Sequence, residues 1–173
     1  HCKAEAGAFA RWLKMELVAC PRITNEIFLD ADNLESLDQL LSTVATDVQS
    51  LCVLGTKSIY LRPWCVGEIT SAMSNGVRTS LLSLPGHARL GSMDIGEYQR
   101  IVPDIEALFG SGISLELVQQ SLSSFMAKEA TVIPHDISTA MPVLVSALAD
   151  GDPTAYVSIP NRGPATASTV IVA

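Results

Sequence analysis

The feature that most constrains the fold of this chain is the alternation of short apolar runs with segments of helical periodicity. The runs Ile27–Leu29, Leu51–Leu54 and Val77–Leu84 are β-prone, and the first two are apolar on successive residues. Continuous apolar character is typical of strands that are covered on both faces. Strands of this kind that alternate with helices across short connections predict an α/β domain, a parallel sheet with helices on both faces.

The helical segments are recognised by bulky apolar residues at offsets of three and four. The first helix is predicted over 4–19, where Phe9, Trp12, Leu13 and Leu17 form one stripe. Further stripes predict a helix over 34–44, a helix after Pro63 that stops at Asn75-Gly76, a helix over 95–109 interrupted by Pro103, and helices over 115–126 and 141–148. A last, short strand is predicted over 131–133.

Length and composition predict a single packed domain. The chain has 173 residues, of which 48% are hydrophobic and 17% are charged. We expect an α/β domain over 1–150, with its core in 1–86 and a helical extension in 87–150. Residues 151–173 are rich in Pro, Gly, Ala, Ser and Thr, which predicts a tail or linker.

Charge and motif content exclude several classes of function. A net charge of −7 leaves no basic face for nucleic acid. No apolar run reaches the roughly 18 residues that span a bilayer, and no secretory signal pattern is found, so a cytoplasmic location is expected. The four cysteines lack zinc-type spacing, and the chain has no GxGxxG or GxxxxGK[ST] motif. We therefore expect neither a metal nor a resident cofactor, and Cys52 is interpreted as a reduced core residue.

The strongest candidate for a functional site is the segment 58–69, which follows the Leu51–Leu54 strand. Pro63 suits the first turn of a helix, where a missing N–H costs nothing. Trp64 and Glu68 are four residues apart and therefore share one helix face. No histidine is close in sequence to Ser58 or Thr56, so a hydrolase triad is not expected.

The sequence Trp64-Cys65-Val66-Gly67-Glu68, in this strand and helix context, resembles the Toll/interleukin-1 receptor (TIR) domain family. The resemblance implies a flavodoxin-like sheet whose first strand lies in the middle, between Ile27–Leu29 and Leu51–Leu54. That strand is absent ahead of residue 1, so the chain resembles a fragment of the family's domain. Unpaired backbone groups in an apolar setting cost about 1–3 kcal/mol each, which predicts a marginal sheet unless the neighbouring strands close up.

The resemblance implies a signalling module that associates with itself, as a homo-oligomer, or with other TIR domains. In the family the loop after the second strand governs such contacts. The matching interaction residues here are Asp30, Asp32, Asn33 and Leu34.

The alternative implied by the resemblance is an NAD⁺ glycohydrolase that releases nicotinamide and ADP-ribose, with Glu68 as the catalytic carboxylate. Breaking the nicotinamide–ribose bond builds positive charge on the ribose, which a nearby carboxylate stabilises. Trp64 and Arg62 are then candidate contacts to NAD⁺, which is a substrate and not a cofactor. Purely structural interpretations stay open: Glu68 caps or solvates its helix, Trp64 packs under a loop, and Arg62 meets water or a neighbouring acid. A third possibility is a flavodoxin-like domain that has neither activity.

Overall fold

The computed structural model describes residues 2–21, 26–29, 37–91, 94–133 and 168–172, together with residues 140, 142 and 144. Its centre is a five-stranded sheet in which every neighbouring pair is parallel. The strands are β1 (Glu26–Leu29), β2 (Val48–Gly55), β3 (Arg78–Ser83), β4 (Ala130–Val132) and β5 (Ser168–Val172). Their spatial order is β1-β5-β2-β3-β4. The predicted α/β class with a parallel sheet is confirmed.

The helices follow the predicted stripes closely. They are α1 (Cys2–Ala19), α2 (Leu37–Thr46), α3 (Pro63–Ser74), α4 (Ile95–Ile101) and α5 (Leu115–Met126). The predicted break at Pro103 is confirmed, because α4 ends at Ile101 and a 3₁₀ helix, Pro103–Ser111, follows it. Within the described ranges, none of the helices has the length and apolar character needed to cross a bilayer.

Two apolar clusters cover the two faces of the sheet. On one face, α1 contributes Ala10, Leu13 and Leu17 to a cluster that includes Cys52 and Leu54 of β2. On the other face, α2, α3 and α5 form a cluster that includes Leu51 and Val53 of the same strand. Successive β2 residues therefore point into opposite cores, which explains why this strand is apolar on consecutive residues.

The middle position of the sheet differs from the sequence-based expectation. The sequence predicts that this position is empty and that residues 151–173 are a tail or linker. The structure instead places β5 there, paired with β1 in the register Phe28↔Val170 and with β2 in the register Cys52↔Ile171. The linker interpretation is thus wrong for residues 168–172, while residues 151–167 lie outside the described residues.

The physical reason for the correction is backbone pairing. The strands β1 and β2 each present a row of N–H and C=O groups to the middle position, and β5 pairs with both rows. Its Thr169-Val170-Ile171-Val172 sequence is β-branched throughout, which suits a strand. With β5 counted as the first strand, the spatial order matches the flavodoxin-like order 2-1-3-4-5, although here that strand follows the other four described strands in sequence.

Two sequence-based predictions fall partly or wholly outside the described residues. The interaction loop Asp30, Asp32, Asn33 and Leu34 is not among them. Of the helix predicted over 141–148, residues 142 and 144 are described as helical, as is residue 140 just before it. Ala140 and Leu144 are buried in the cluster beneath α1, so this part of the chain lies on the α1 face.

We expect Val170→Pro to lower the free energy of unfolding by about 2 kcal/mol or more, because a proline in a central strand removes an N–H and leaves its partner carbonyl unsatisfied. Urea unfolding followed by circular dichroism measures the change. Val170→Ile is the control, because it keeps both the N–H and the β-branch. Equal stability of the proline variant and the wild type would contradict the placement of β5 in the middle of the sheet.

Candidate functional site

The helix α3 carries the predicted motif on its first two turns. The chain leaves β2, passes through a short 3₁₀ turn (Ile59–Leu61) and enters α3 at Pro63. Arg62 is the N-cap residue in an extended conformation, and Pro63 occupies the first helical position, as predicted. The helix ends at Ser74 with Asn75 as its C-cap residue, in agreement with the predicted stop at Asn75-Gly76.

Close packing holds α3 against its neighbours. A Cβ atom at Gly67 would lie 2.8 Å from Leu108 Cδ2 and 3.1 Å from Leu41 Cδ2, so a larger residue would require these leucine side chains to move. One turn later, Ser71 Oγ donates a 2.9 Å hydrogen bond to the Leu41 carbonyl oxygen. The first two turns of α3 are therefore wedged between α2 and the 3₁₀ helix.

The Glu68 side chain lies inside this packed region. It is only 1% exposed, and the neighbouring Gly67 and Ile69 are buried as well. Its Oε1 atom accepts no hydrogen bond from the described residues, although the residue does take part in another polar interaction. Glutamate is rarely buried to this extent. The interpretation that Glu68 merely solvates the helix surface does not fit this burial.

The other two predicted site residues lie nearer the surface. Trp64 is half-buried and packs against the core cluster beneath α3, in agreement with its structural interpretation. Arg62 is also half-buried and has a polar interaction of its own. Trp64 and Glu68 share α3 at same-face spacing. Their contact with NAD⁺ stays a prediction, and so does that of Arg62.

A second polar group, which the sequence analysis missed, surrounds His87. Its Nδ1 lies 3.2 Å from Ser83 Oγ and its Nε2 lies 3.3 Å from the Tyr60 hydroxyl. The Tyr60 and His87 rings also contact, with centroids 5.8 Å apart. The Tyr98 hydroxyl donates to the Tyr60 carbonyl oxygen from the far side. We call Tyr60, Ser83 and His87 the histidine cluster.

The histidine cluster lies at the carboxyl ends of two adjacent strands. Ser83 is the last residue of β3, and Gly55, the last residue of β2, lies under the His87 ring. A Cβ atom at Gly55 would come within 2.8 Å of His87 Cδ2, so the absence of a side chain at Gly55 leaves room for the His87 ring. Open α/β sheets usually bind ligands at this edge. Ser83 and His87 are four residues apart across Pro85-Gly86, and that spacing is the signal that sequence analysis could have used.

Burial and one nearby cation set the protonation of this cluster. Burial lowers the pKa of His87, and the positive charge of Arg89 lowers it further. Burial raises the pKa of Tyr60, an effect that Arg89 opposes. The Arg89 guanidinium is held in place by donating to the Met126 and Lys128 carbonyl oxygens, both at 2.8 Å. The neutral imidazole between two hydroxyls is chemically able to relay a proton.

A groove of about 660 Å³ lies on the α2 and α3 side of the molecule. Neither Glu68 nor His87 is among its described lining residues. Its hydroxyl groups belong to Ser42, Ser71, Ser74 and Ser111. The first three of these serines each donate a hydrogen bond to a helix carbonyl oxygen. The described lining contains no charged side chain. It therefore lacks the cations that would hold the phosphates of a dinucleotide.

Thiols and metal ligands are simple in the described part of the chain. Cys52 is a fully buried free thiol whose pKa burial raises to about 12, which confirms its interpretation as a reduced core residue. Cys20 and Cys65 likewise form no disulfide with the cysteines that the structure describes. Three or more His, Cys, Asp or Glu side chains do not come together as metal ligands anywhere among the described residues.

Comparison with known proteins gives no assignment: no protein-family model matches the sequence, and no curated protein matches it. The TIR resemblance therefore depends on the motif residues themselves.

The pKa of His87 predicts a specific pH dependence of stability. Because this pKa lies below the ordinary value of 6.5, the unfolded chain takes up a proton before the folded chain does as the pH falls. The neutral ring contributes stability that is present above pH 6.5 and is lost as the pH falls toward the folded-state pKa. We expect the free energy of unfolding to decrease more steeply below pH 6.5 in the wild type than in His87→Gln.

Urea unfolding at a series of pH values measures this difference. Glutamine retains hydrogen-bonding capacity toward Ser83 and Tyr60, and both chains keep His1 and His135, so their titration cancels in the comparison. Parallel pH profiles of the two chains would show that His87 is solvated in the folded protein.

Proposed function

We propose that this chain is a TIR-type signalling module that works by association with itself or with other TIR domains. The observation that supports the proposal is the position of one sequence motif in the fold. The helix that carries Trp64 and Glu68 follows a central parallel strand, β2, in a sheet of flavodoxin-like order. This is the context in which the resemblance places the motif.

The surface chemistry is compatible with a role in protein association. A net charge of −7 disfavours nucleic acid and anionic lipid as partners. The edge strand β4 carries Val132 with 71% of its surface exposed, and Leu61, just before α3, is 45% exposed. Two acids of the proposed interaction loop, Asp30 and Asp32, add charged groups through which partners would be selected.

We expect the wild-type chain to self-associate in a concentration-dependent manner and the Asp30→Ala, Asp32→Ala double variant to do so at least about tenfold more weakly. Sedimentation velocity over a range of concentrations measures the dissociation constant. The matched control is Asp104→Ala with Glu129→Ala, which removes the same charge from two exposed positions. A wild-type chain that stays monomeric at every concentration would exclude self-association. Equal weakening by the control pair would assign the effect to net charge.

A second candidate activity, NAD⁺ cleavage, is supported by the burial of Glu68. A carboxylate that is 1% exposed in an apolar region is costly to fold, and such groups concentrate at functional sites. Its charge would act in a poorly screened environment, where it stabilises a developing oxocarbenium ion more strongly than it would in water. Cleavage then consists of departure of nicotinamide with the bonding electron pair, followed by addition of water to the ribose.

In this activity Glu68 stabilises the cationic ribose, and Trp64 provides an aromatic face for the nicotinamide ring. Arg62, the N-cap residue of α3, is the candidate contact to a phosphate of the dinucleotide. The packing around Gly67 keeps α3 in a fixed position, which is what transition-state stabilisation requires.

We expect incubation with NAD⁺ to yield nicotinamide and ADP-ribose, and Glu68→Gln to lower the rate by about 10²-fold or more, since it keeps the shape of the side chain but loses the charge. Chromatography of the reaction mixture measures both products. Glu116→Gln, a change at an exposed carboxylate in the first turn of α5, is expected to keep the full rate. Absence of turnover in the wild type would remove the enzymatic candidate, and full activity of Glu68→Gln would remove Glu68 from it.

A further inference from the structure

The histidine cluster has the arrangement of an activated serine. The Ser83 hydroxyl oxygen lies 3.2 Å from His87 Nδ1, and the other ring nitrogen, Nε2, lies 3.3 Å from the Tyr60 hydroxyl oxygen. A nucleophile beside a base, with a third group that orients the base, is the structural signature of covalent catalysis. The proposed function uses none of these three side chains.

The two ends of this hydrogen-bonded series differ in burial. Tyr60 is only 2% exposed, and its carbonyl oxygen accepts a hydrogen bond from the Tyr98 hydroxyl, so this end is fixed in the core. Ser83 and His87 are partly exposed. Ser83 ends β3 at the carboxyl edge of the sheet, where open α/β sheets usually bind ligands. The hydroxyl that can act as a nucleophile therefore belongs to the less buried end.

The protonation of the cluster suits a general base. Burial and the charge of Arg89 hold the pKa of His87 below its ordinary value, so near neutral pH the ring has one nitrogen that accepts a proton. Burial raises the pKa of Tyr60, whose hydroxyl therefore keeps its proton. Because a hydroxyl accepts as well as donates, the Tyr60 oxygen can accept a hydrogen bond from Nε2–H. In that tautomer the lone pair of Nδ1 faces Ser83.

We propose that the histidine cluster is an active site for acyl transfer from small carboxylic esters, with Ser83 as the nucleophile and His87 as the general base. Ser83 Oγ attacks the ester carbonyl carbon while its proton passes to His87 Nδ1. The tetrahedral intermediate then expels the alcohol, which takes that proton, and Ser83 is left acylated. Water that is deprotonated by the same nitrogen releases the carboxylic acid and restores the Ser83 hydroxyl.

Tyr60 and Arg89 support these steps without forming bonds to the substrate. Tyr60 is a positioning residue, because its oxygen holds the proton of the imidazole on Nε2 and leaves Nδ1 to act on Ser83. Arg89 is close enough for its positive charge to act on both His87 and Tyr60. A fixed positive charge there favours the negative charge that develops on the carbonyl oxygen.

This activity goes beyond the proposed function, because it needs neither Glu68 nor the loop that contains Asp30 and Asp32. Hydrolysis of an ester by Glu68→Gln at the wild-type rate is expected. Failure of NAD⁺ cleavage or of self-association would therefore leave this proposal standing, and its own failure would leave theirs.

Diisopropyl fluorophosphate tests the nucleophile without knowledge of the natural ester. Attack of Ser83 Oγ on phosphorus breaks the P–F bond, fluoride leaves with the bonding electrons, and His87 takes the proton. We expect peptide mass spectrometry of the labelled full chain to find the adduct on Ser83, and His87→Gln to slow labelling by about 10²-fold or more. Ser83→Ala should abolish both labelling and the hydrolysis of p-nitrophenyl acetate. The matched control Ser124→Ala, at an exposed serine of α5, should keep the full rates.

NMR of the histidine ring nitrogens provides a readout that a purely structural role would not predict. In the wild type we expect the His87 proton on Nε2, and in Tyr60→Phe, which lacks the accepting oxygen, we expect a loss of this preference together with slower labelling.

A folded wild-type chain that gains no adduct, or gains it at a residue other than Ser83, would overturn the proposal. A His87 proton found on Nδ1 in the wild type would overturn it equally, because that nitrogen could not then accept the proton of Ser83. Both measurements use the unsubstituted chain, so the test does not depend on whether the variants fold.

Discussion

The structure depends on the pairing of β5 with both β1 and β2. Without a strand in the middle position, two rows of peptide groups would face each other across a gap and lose both water and hydrogen-bond partners. With β5 in place the sheet is continuous, and both of its faces offer the apolar surface against which the helices pack. The layered architecture therefore depends on hydrogen bonding of the backbone N–H and C=O groups within the parallel sheet more than on any single side chain.

The continuous sheet positions two polar groups in otherwise apolar surroundings. Glu68 is carried by α3, which Gly67 allows to pack tightly against α2 and the 3₁₀ helix. The histidine cluster lies at the carboxyl ends of β2 and β3, where Gly55 leaves room for the imidazole. In each case a Cβ atom in place of the glycine hydrogen would crowd a neighbouring side chain, and a titratable side chain lies beside the glycine. A buried carboxylate is costly, so the presence of Glu68 is the strongest chemical signal among the described residues.

The two candidate activities make different demands on this architecture. Association with another protein uses the exposed loops and strand edges that the sheet supports. It does not require those groups to be held in an exact position. Cleavage of NAD⁺ needs a charge held in a defined position and shielded from water, and the packing around α3 meets that requirement for Glu68.

Local patterns in the sequence were sufficient to predict the α/β class, the strands β1 to β3, the start of α3 at Pro63 and its stop at the C-cap residue Asn75. The reason is that periodicity and capping signals act over a few residues. The same patterns selected Glu68 but could not show that it is buried. They left out His87, whose partners Tyr60 and Ser83 meet it only through the fold. They also assigned 168–172 to a tail, because a strand of five residues carries little information about its neighbours. Only the tertiary structure decided that this segment completes the sheet, since that choice depends on unpaired backbone groups distant in sequence.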